Sequence, residues 1–312
     1  MHACGCSNLI SLLRPWKSLR LLPVLCLLPL CAPADKTEHE SNTCPLRPDA
    51  FAAVKERASR NLPEAQTILA SCYELGRNVA PNGSEAMHWL SLAAEQGYAP
   101  AEYELGRTYL YGRGIPADYG RAIFWEEKAA QQGVAKAQRD MAYIYERGLG
   151  VTADNAVAAR WNRKAAEGGD PDAQLHLAQA LETENVLEAE MWYLKAARQN
   201  VAVAQLQLAR IYVRQGRGSC STALRWYKKA AESGQASAMY ELGKLYQTTC
   251  GPDLDAAFIW FRIGARFGST ESHAEADKLL PRINRAKKQR ADAAVERWIS
   301  NHTRTEKEAE EE

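Results

Sequence analysis

The stretch AEYELGRTYLYGRGIPADYGRAIFWEEKAAQQG, residues 101–133, decides how this chain is read. Ala101, Leu105, Gly106 and Tyr109 sit three or four residues apart, one face of a helix on which small and large side chains alternate. Gly112 and Gly114 interrupt that pattern, glycine being the residue that accepts a left-handed backbone where a helix ends. Asp118 then stands where a helix N-cap is wanted. The second half carries Ala122, Trp125 and the pair Ala129-Ala130, again at spacings of three and four. A large ring beside small residues is a surface onto which another helix can close.

Working outward, the same arrangement recurs. Trp89, Trp125, Trp161, Trp192, Trp226 and Trp260 follow one another at nearly constant intervals. Each has Ala three residues before it, and each is followed by Ala-Ala, or by Gly264-Ala265 after Trp260. A first helix precedes each Trp helix, opening at Ala65, Ala101, Ala137, Ala173, Ala204 and Ala238. The interval from a Trp to the next opening Ala, as from Trp89 to Ala101, is the same every time. The interval from opening Ala to Trp varies, and is shortest between Ala173 and Trp192. Length variation is thus confined to one loop, as stacked helix pairs require. Gly112/Gly114 and Gly148/Gly150 mark that loop in two repeats, Gly76/Asn78 replaces the pair in the first, and Asp118, Asp154 and Asp253 supply N-caps. The fourth repeat lacks the loop, so Thr183-Glu184-Asn185 is expected to turn more tightly. The six Trp read as structural core.

The 312 residues carry 39 Lys plus Arg against 38 Asp plus Glu, a net charge of +1. A chain so balanced has no global basic field, so nucleic acid is not an expected partner. The apolar content of 46% is that of an ordinary folded chain.

The pattern A-x3-L-G-x2-Y-x2-G-x-G-[VI]…A-x2-W-x3-A-A-x2-G resembles the Sel-one-like repeat, a relative of the tetratricopeptide repeat. It covers residues 63–268 in six matches; repeat one departs with Ala70-Ser71 and repeat four with Leu181 in place of Tyr. The resemblance implies an all-α, right-handed solenoid of antiparallel helix pairs. Residues 35–62, with a helix over 48–60, are then an N-terminal cap. Residues 269–302, with a truncated helix, Pro281 and a helix ending at Trp298, are C-terminal capping helices. The charged segment 303–312 has no apolar face and is expected to be disordered.

Residues 1–34 read as a secretory signal peptide: Arg14, Lys17 and Arg20, then an apolar run from Leu21 to Cys31, then Ala32-Pro33-Ala34 as a small-x-small cleavage signal. That run is too short to span a bilayer. A periplasmic or secreted location follows, with no transmembrane segment after cleavage and a net charge of about −2. Cleavage leaves four cysteines, Cys44, Cys72, Cys220 and Cys250. Placed on the repeat, each pair joins the start of one helix to the end of its antiparallel neighbour, and the two separations are closely similar. The expected disulfides are Cys44–Cys72 and Cys220–Cys250, each stabilising by about 3–4 kcal/mol; four buried free thiols are the alternative.

Catalytic and metal constellations are not visible. His39-Glu40 begins like HExxH, but Thr43 stands in place of the second His. There is no GxSxG, no GxxxxGK[ST], and no Ser followed by Lys three residues on. No catalytic residue, metal or cofactor is assigned. The six-repeat array reads instead as a binding surface. In related arrays the first helices line the concave side, and positions two before and two after the buried Leu give Tyr103, Arg107, Arg139, Tyr143, Arg210, Tyr240 and Lys244; Tyr111, Arg147 and Arg214 follow one turn on. Tyr and Arg bury large area while keeping a polar end, so this face suits another protein or an acidic or extended peptide, with a cell-wall or glycan component also open. Against this stands the reading in which Tyr stacks on its neighbours and Arg pairs with Glu104, Glu146 or Glu182. The functional expectation is a non-catalytic interaction scaffold in the cell envelope. Two alternatives stand beside it. One is a penicillin-binding or β-lactamase-like enzyme, as in the cysteine-rich branch of the same repeat family, although those members carry a Cys pair in every repeat. The other is an endoplasmic-reticulum adaptor, with Asn82-Gly83-Ser84 and Asn301-His302-Thr303 as glycan sites.

Overall fold

The computed structural model describes residues 44–215, 220–248 and 252–310, with side chains up to residue 302 apart from that of 215. The expected signal peptide, the His39-Glu40 motif and the first part of the N-terminal cap lie outside these residues. The described chain is helical throughout. A lone helix α1 (Pro48–Ser59) precedes six antiparallel pairs: α2 (Pro63–Leu75) with α3 (Gly83–Glu95), α4 (Ala99–Tyr111) with α5 (Tyr119–Gln131), α6 (Ala135–Arg147) with α7 (Asn155–Glu167), α8 (Pro171–Leu181) with α9 (Val186–Arg198), α10 (Ala202–Gln215) with α11 (Cys220–Glu232), and α12 (Ala236–Thr248) with α13 (Leu254–Arg266). Each helix packs on the one before and the one after, the order of an α-solenoid. The array closes on α14 (Thr270–Leu279), a 3₁₀ turn at Leu280–Arg282, and α15 (Arg285–Glu310).

Local chemistry sets the helix ends. Gly76, Gly112 and Gly148 terminate α2, α4 and α6 at φ between 66° and 67°, and Asn78 takes the left-handed conformation (φ 61°) that Gly114 and Gly150 take in the next two repeats. Asp118, Asp154 and Asp253 accept backbone N–H bonds at the starts of α5, α7 and α13. In repeat four α8 stops after 11 residues, and Asn185 caps α9 three residues after Glu182.

The buried layer is built from alternating sizes. Leu69, Leu105, Met141, Leu177, Leu208 and Leu242 are buried, as are the Ala pairs that follow the first five Trp. A device absent from the sequence reading ties the pairs together. The second residue of the Ala-Gln dipeptide at the head of α2, α6, α8 and α10 is a buried glutamine. Its amide donates back to the last turn of the preceding helix: Gln66 to Ala58 O (3.5 Å), Gln138 to Ala130 O (3.0 Å), Gln174 to Ala166 O (3.1 Å) and Gln205 to Ala197 O (3.1 Å). Each satisfies a carbonyl that a helix C-terminus leaves without an intrahelical partner.

All six tryptophans pack on the hydrophobic core, but to different depths. Trp192 and Trp226 are buried, but Trp89, Trp125, Trp161 and Trp260 are only half-buried. The indole packs its inner face on the Ala pair while its outer face meets the lysine three residues on. Lys128, Lys164, Lys195 and Lys229 stand 4.8, 4.4, 3.6 and 5.2 Å from the ring centroids of Trp125, Trp161, Trp192 and Trp226. A cation one helical turn away substitutes for a further apolar layer.

The closing segment also differs. α15 does not end at Trp298 but continues to Glu310, so most of the segment expected to be disordered is helical. Its sequence lacks Gly and Pro and is rich in Glu, Lys and Ala, residues of high intrinsic helix propensity. Trp298 packs edge-on against Trp260 and Phe267, with centroids 6.1 and 5.4 Å apart, and stacks on His302 at 3.7 Å. The last repeat is thereby covered.

At the other end Cys44 and Cys72 form a disulfide, Cα atoms 4.9 Å apart, and both residues are buried. Asn78 Nδ2 donates to Pro45 O at 2.8 Å beside it. Cys220 is also disulfide-bonded; Cys250, its expected partner, lies outside the described residues. Among the described residues no helix is long and apolar enough to cross a membrane.

Candidate functional site

Because every first helix opens the same way, positions flanking the buried Leu of successive repeats fall on one side of the array; α2 and α4 touch directly. A groove of about 1360 Å³ runs over repeats one and two on this side, lined in part by Thr67, Ser71, Tyr103, Glu104, Thr108 and Arg113.

The structure gathers six of the ten residues assigned to this face into one group across repeats two and three: Tyr103, Arg107, Tyr111, Arg139, Tyr143 and Arg147. The Arg107 guanidinium lies 5.5 Å from the Tyr103 ring and 5.6 Å from the Tyr111 ring, and that of Arg147 lies 5.9 Å from Tyr143. Tyr111 and Tyr143 are 50% and 40% exposed, but Tyr103 is buried. Burial first, and then the Asp140 carboxylate, pushes the Tyr103 and Tyr111 hydroxyls above the ordinary tyrosine range, so both stay neutral donors.

The remaining four lie elsewhere. Arg210 pairs with Glu241 at 3.0 Å and Arg214 with Glu182 at 2.9 Å, while the same Glu182 accepts the Tyr193 hydroxyl at 2.9 Å. Tyr240 packs on Phe261, centroids 5.9 Å apart, and Lys244 is half-buried near Glu275. Arg139 is likewise committed, to Asp172 at 2.6 Å and Asp170 at 3.1 Å. Four of the ten side chains thus take partners within the fold: Arg139 and Arg210 an acid of the next repeat, Arg214 an acid of the repeat before, and Tyr240 a ring of its own repeat, as in the pairing reading set beside the peptide-binding one.

Two acids that the sequence reading did not single out lie under this group. Glu126, directly after Trp125, is fully buried, and neither carboxyl oxygen has a hydrogen-bond partner. Its Cγ, Cδ and Oε1 lie 2.9 Å from where a Cβ on Gly106 would stand, so the glycine of α4 makes the room for it. Asp140 on α6 is 4% exposed and its Oδ2 is also without a partner. Its nearest cations are Arg139 at 3.7 Å and Arg107 at 3.9 Å, beyond hydrogen-bonding distance. Burial pushes the Glu126 carboxyl up to about 10, reinforced by Asp140, and burial also raises Asp140 above the usual carboxylate range. Glu126 therefore holds its proton at neutral pH.

The register shows how unusual this is. The residue after each Trp is Leu90, Glu126, Asn162, Tyr193, Tyr227 and Phe261, and the four apolar or aromatic members are all buried. Reading that column would have found Glu126 from sequence; Asp140 carries no comparable signal, since Glu104 and Glu241 hold the matching position on half-buried sites.

Comparison with known proteins follows the same register. The Sel1 repeat model matches residues 63–98, 99–134, 135–170, 171–201, 202–235 and 236–268. Among solved structures the chain is similar to c5321, described as a protective antigen present in uropathogenic Escherichia coli strains and displaying an SLR fold, with 30% identity and a TM-score of 0.67 over 81% of this chain and 56% of that one. The chain thus spans little more than half the length of that relative. It is also similar to a Sel1 repeat protein from Oxalobacter formigenes, with 30% identity and a TM-score of 0.55 over 70% of this chain and 90% of that one. No curated protein matches it. Six consecutive repeat matches over the helix pairs described above place the chain in the Sel1 repeat family.

Proposed function

We propose that this chain is a non-catalytic scaffold of the cell envelope that holds a segment of a partner protein on the face formed by its first helices. Sel1 repeat proteins are in general protein-interaction modules. The observation that carries the reading is the pair Tyr111 and Tyr143, two large rings left half-exposed one repeat apart with Arg147 beside them. Aromatic and arginine side chains so placed are the usual anchors of a protein interface. The paired arginines fix the spacing between repeats, and the exposed rings offer area to a partner. The buried Cys44–Cys72 disulfide supports an oxidising compartment, as does the signal-like N-terminal segment.

The test is cross-linking capture from envelope extracts with the native chain and with a triple variant, Tyr111→Ala, Tyr143→Ala and Arg147→Ala. These side chains lie at the surface, so the variant keeps its fold; loss of a specific band supports the face as the docking site, and an unchanged band overturns it. The β-lactamase-like alternative has no supporting observation on this face, and its assay is hydrolysis of a chromogenic cephalosporin by the purified chain.

A further inference from the structure

We infer that the buried carboxyls of Glu126 and Asp140 form a recognition pocket for a cationic side chain, the arginine or lysine of a bound partner segment. The inference rests on the first-helix face being a docking face and names the chemistry of what docks there.

Donors and acceptors are out of balance in this part of the array. Three carboxyl oxygens, both of Glu126 and Oδ2 of Asp140, are buried without a partner. A buried carboxyl left without a hydrogen bond costs free energy, and no donor of the fold lies within bonding distance of these three oxygens. The groups that face Glu126 are Tyr103, Glu104, Arg107 and Tyr111 on α4 and Arg139 and Asp140 on α6. Arg139 is taken up by Asp170 and Asp172, and Glu104 is 3.7 Å from Arg113. Only Arg107 is loosely held, 3.9 Å from both Asp140 and Glu104. Its guanidinium lies near the Tyr103 and Tyr111 rings, so a planar cation already stands on aromatic faces beside Asp140. The site is short of donors, rich in acceptors and walled by aromatic rings, and a guanidinium or ammonium group supplies what it lacks. Other repeats show the contrast. Where Tyr193 and Tyr227 replace Glu126, the ring fills the space, and the acids Glu182 and Glu241 are bonded by Arg214 and Arg210.

Entry of a cation shifts Arg107 off its rings and brings the ligand N–H groups to the Glu126 and Asp140 oxygens. The Glu126 proton then leaves to solvent, so the carboxylic acid becomes a carboxylate paired with the bound cation. Charge balances: one cation enters and one proton departs.

The experiment uses the full chain and the peptide acetyl-Ala-Ala-Arg-Ala-Ala-amide, compared with the same peptide carrying citrulline, which has the shape of arginine without its charge. Titration calorimetry is run in two buffers of different ionisation enthalpy. The expected result is binding of the arginine peptide about tenfold or more tighter than the citrulline peptide. It is accompanied by release of about one proton near pH 7. Glu126→Gln and Asp140→Asn each bring the ratio close to one. Glu126→Gln replaces an uncharged group by an uncharged group, so its loss of preference does not arise from unfolding. Arg107→Gln removes the resident competitor and tightens the arginine peptide several-fold. Equal affinity for the two peptides, a preference that survives Glu126→Gln, or no binding of the arginine peptide at millimolar concentration overturns the inference. If partner capture is still lost in the Tyr111/Tyr143/Arg147 variant, the docking face stands while the cation pocket falls; if capture is unaffected, both fall.

Discussion

Glu126→Gln is expected to stabilise repeats two and three by an amount that grows with pH. In the unfolded chain the carboxyl ionises near 4.5; in the folded chain burial holds it protonated up to about 10. Between those values the folded state binds one more proton than the unfolded state, so stability falls as pH rises, by about 1.4 kcal/mol per unit. From pH 5 to pH 8 that amounts to about 4 kcal/mol, a ceiling because water entering the site lets the acid ionise at lower cost. Below pH 4.5 the term vanishes, since both states are protonated. Glutamine is neutral in both states at every pH and removes the slope while keeping the shape. The assay is urea unfolding of the native chain and the variant at pH 5, 6, 7 and 8, with hydrogen exchange in α4–α6 as the local readout, because repeat arrays open in parts. The two are expected to agree near pH 5 and to diverge steadily above it. Parallel profiles would mean that Glu126 is ionised in the folded protein, and the account of the buried acid would be wrong.

Three further outcomes follow from the same geometry. Gln138→Ala deletes the amide bonded to Ala130 O at 3.0 Å and leaves that carbonyl only its backbone donor from Gly133, so the loss of one buried hydrogen bond should cost about 0.5–1.5 kcal/mol in chemical unfolding; a null effect would mean that the glutamine clamps are ornamental. Gly150→Ala puts a Cβ 2.6 Å from Tyr119 Cβ on a backbone at φ 70°, so the chain should lose about 1–3 kcal/mol of stability, with soluble yield and melting temperature falling accordingly. Intact mass of the exported chain should rise by about 4 Da on reduction if both cysteine pairs are closed, and Cys72→Ser should cost about 3–4 kcal/mol by freeing the 28-residue loop.

The architecture was legible because it is periodic. Six Trp columns, fixed Trp-to-Ala distances and Gly-x-Gly loops each repeat a local rule, and a rule stated six times survives departures such as Leu181. The glutamine clamps were equally periodic, in the Ala-Gln dipeptides, but a polar residue at a helix start reads as solvated until its partner carbonyl is seen on the preceding helix. The arginines stayed open between two readings for a physical reason. Whether Arg210 faces a partner or Glu241 depends on the next repeat's register in space, and sequence spacing alone does not state a contact. The lysines on the tryptophans escaped notice in the same way: a charge at Trp plus three looks like an exposed helix position and is also a lid on the ring.

What the repeats share is structural, so what distinguishes this chain lies where one repeat breaks the column. At five of the six positions after Trp the side chain is apolar, aromatic or an amide, and at one it is an acid. An array can accept any volume-matched apolar residue there, and Leu90 and Phe261 show two that fit. A glutamate at that place gives up the burial energy of such a residue and adds the cost of holding a proton, with Gly106 on the facing helix opening the space it occupies. The concession is local to repeats two and three, where Tyr111 and Tyr143 are also left uncovered. Exposed rings and unmet acceptors in one place, on an otherwise regular scaffold, are what separate a site from a spacer.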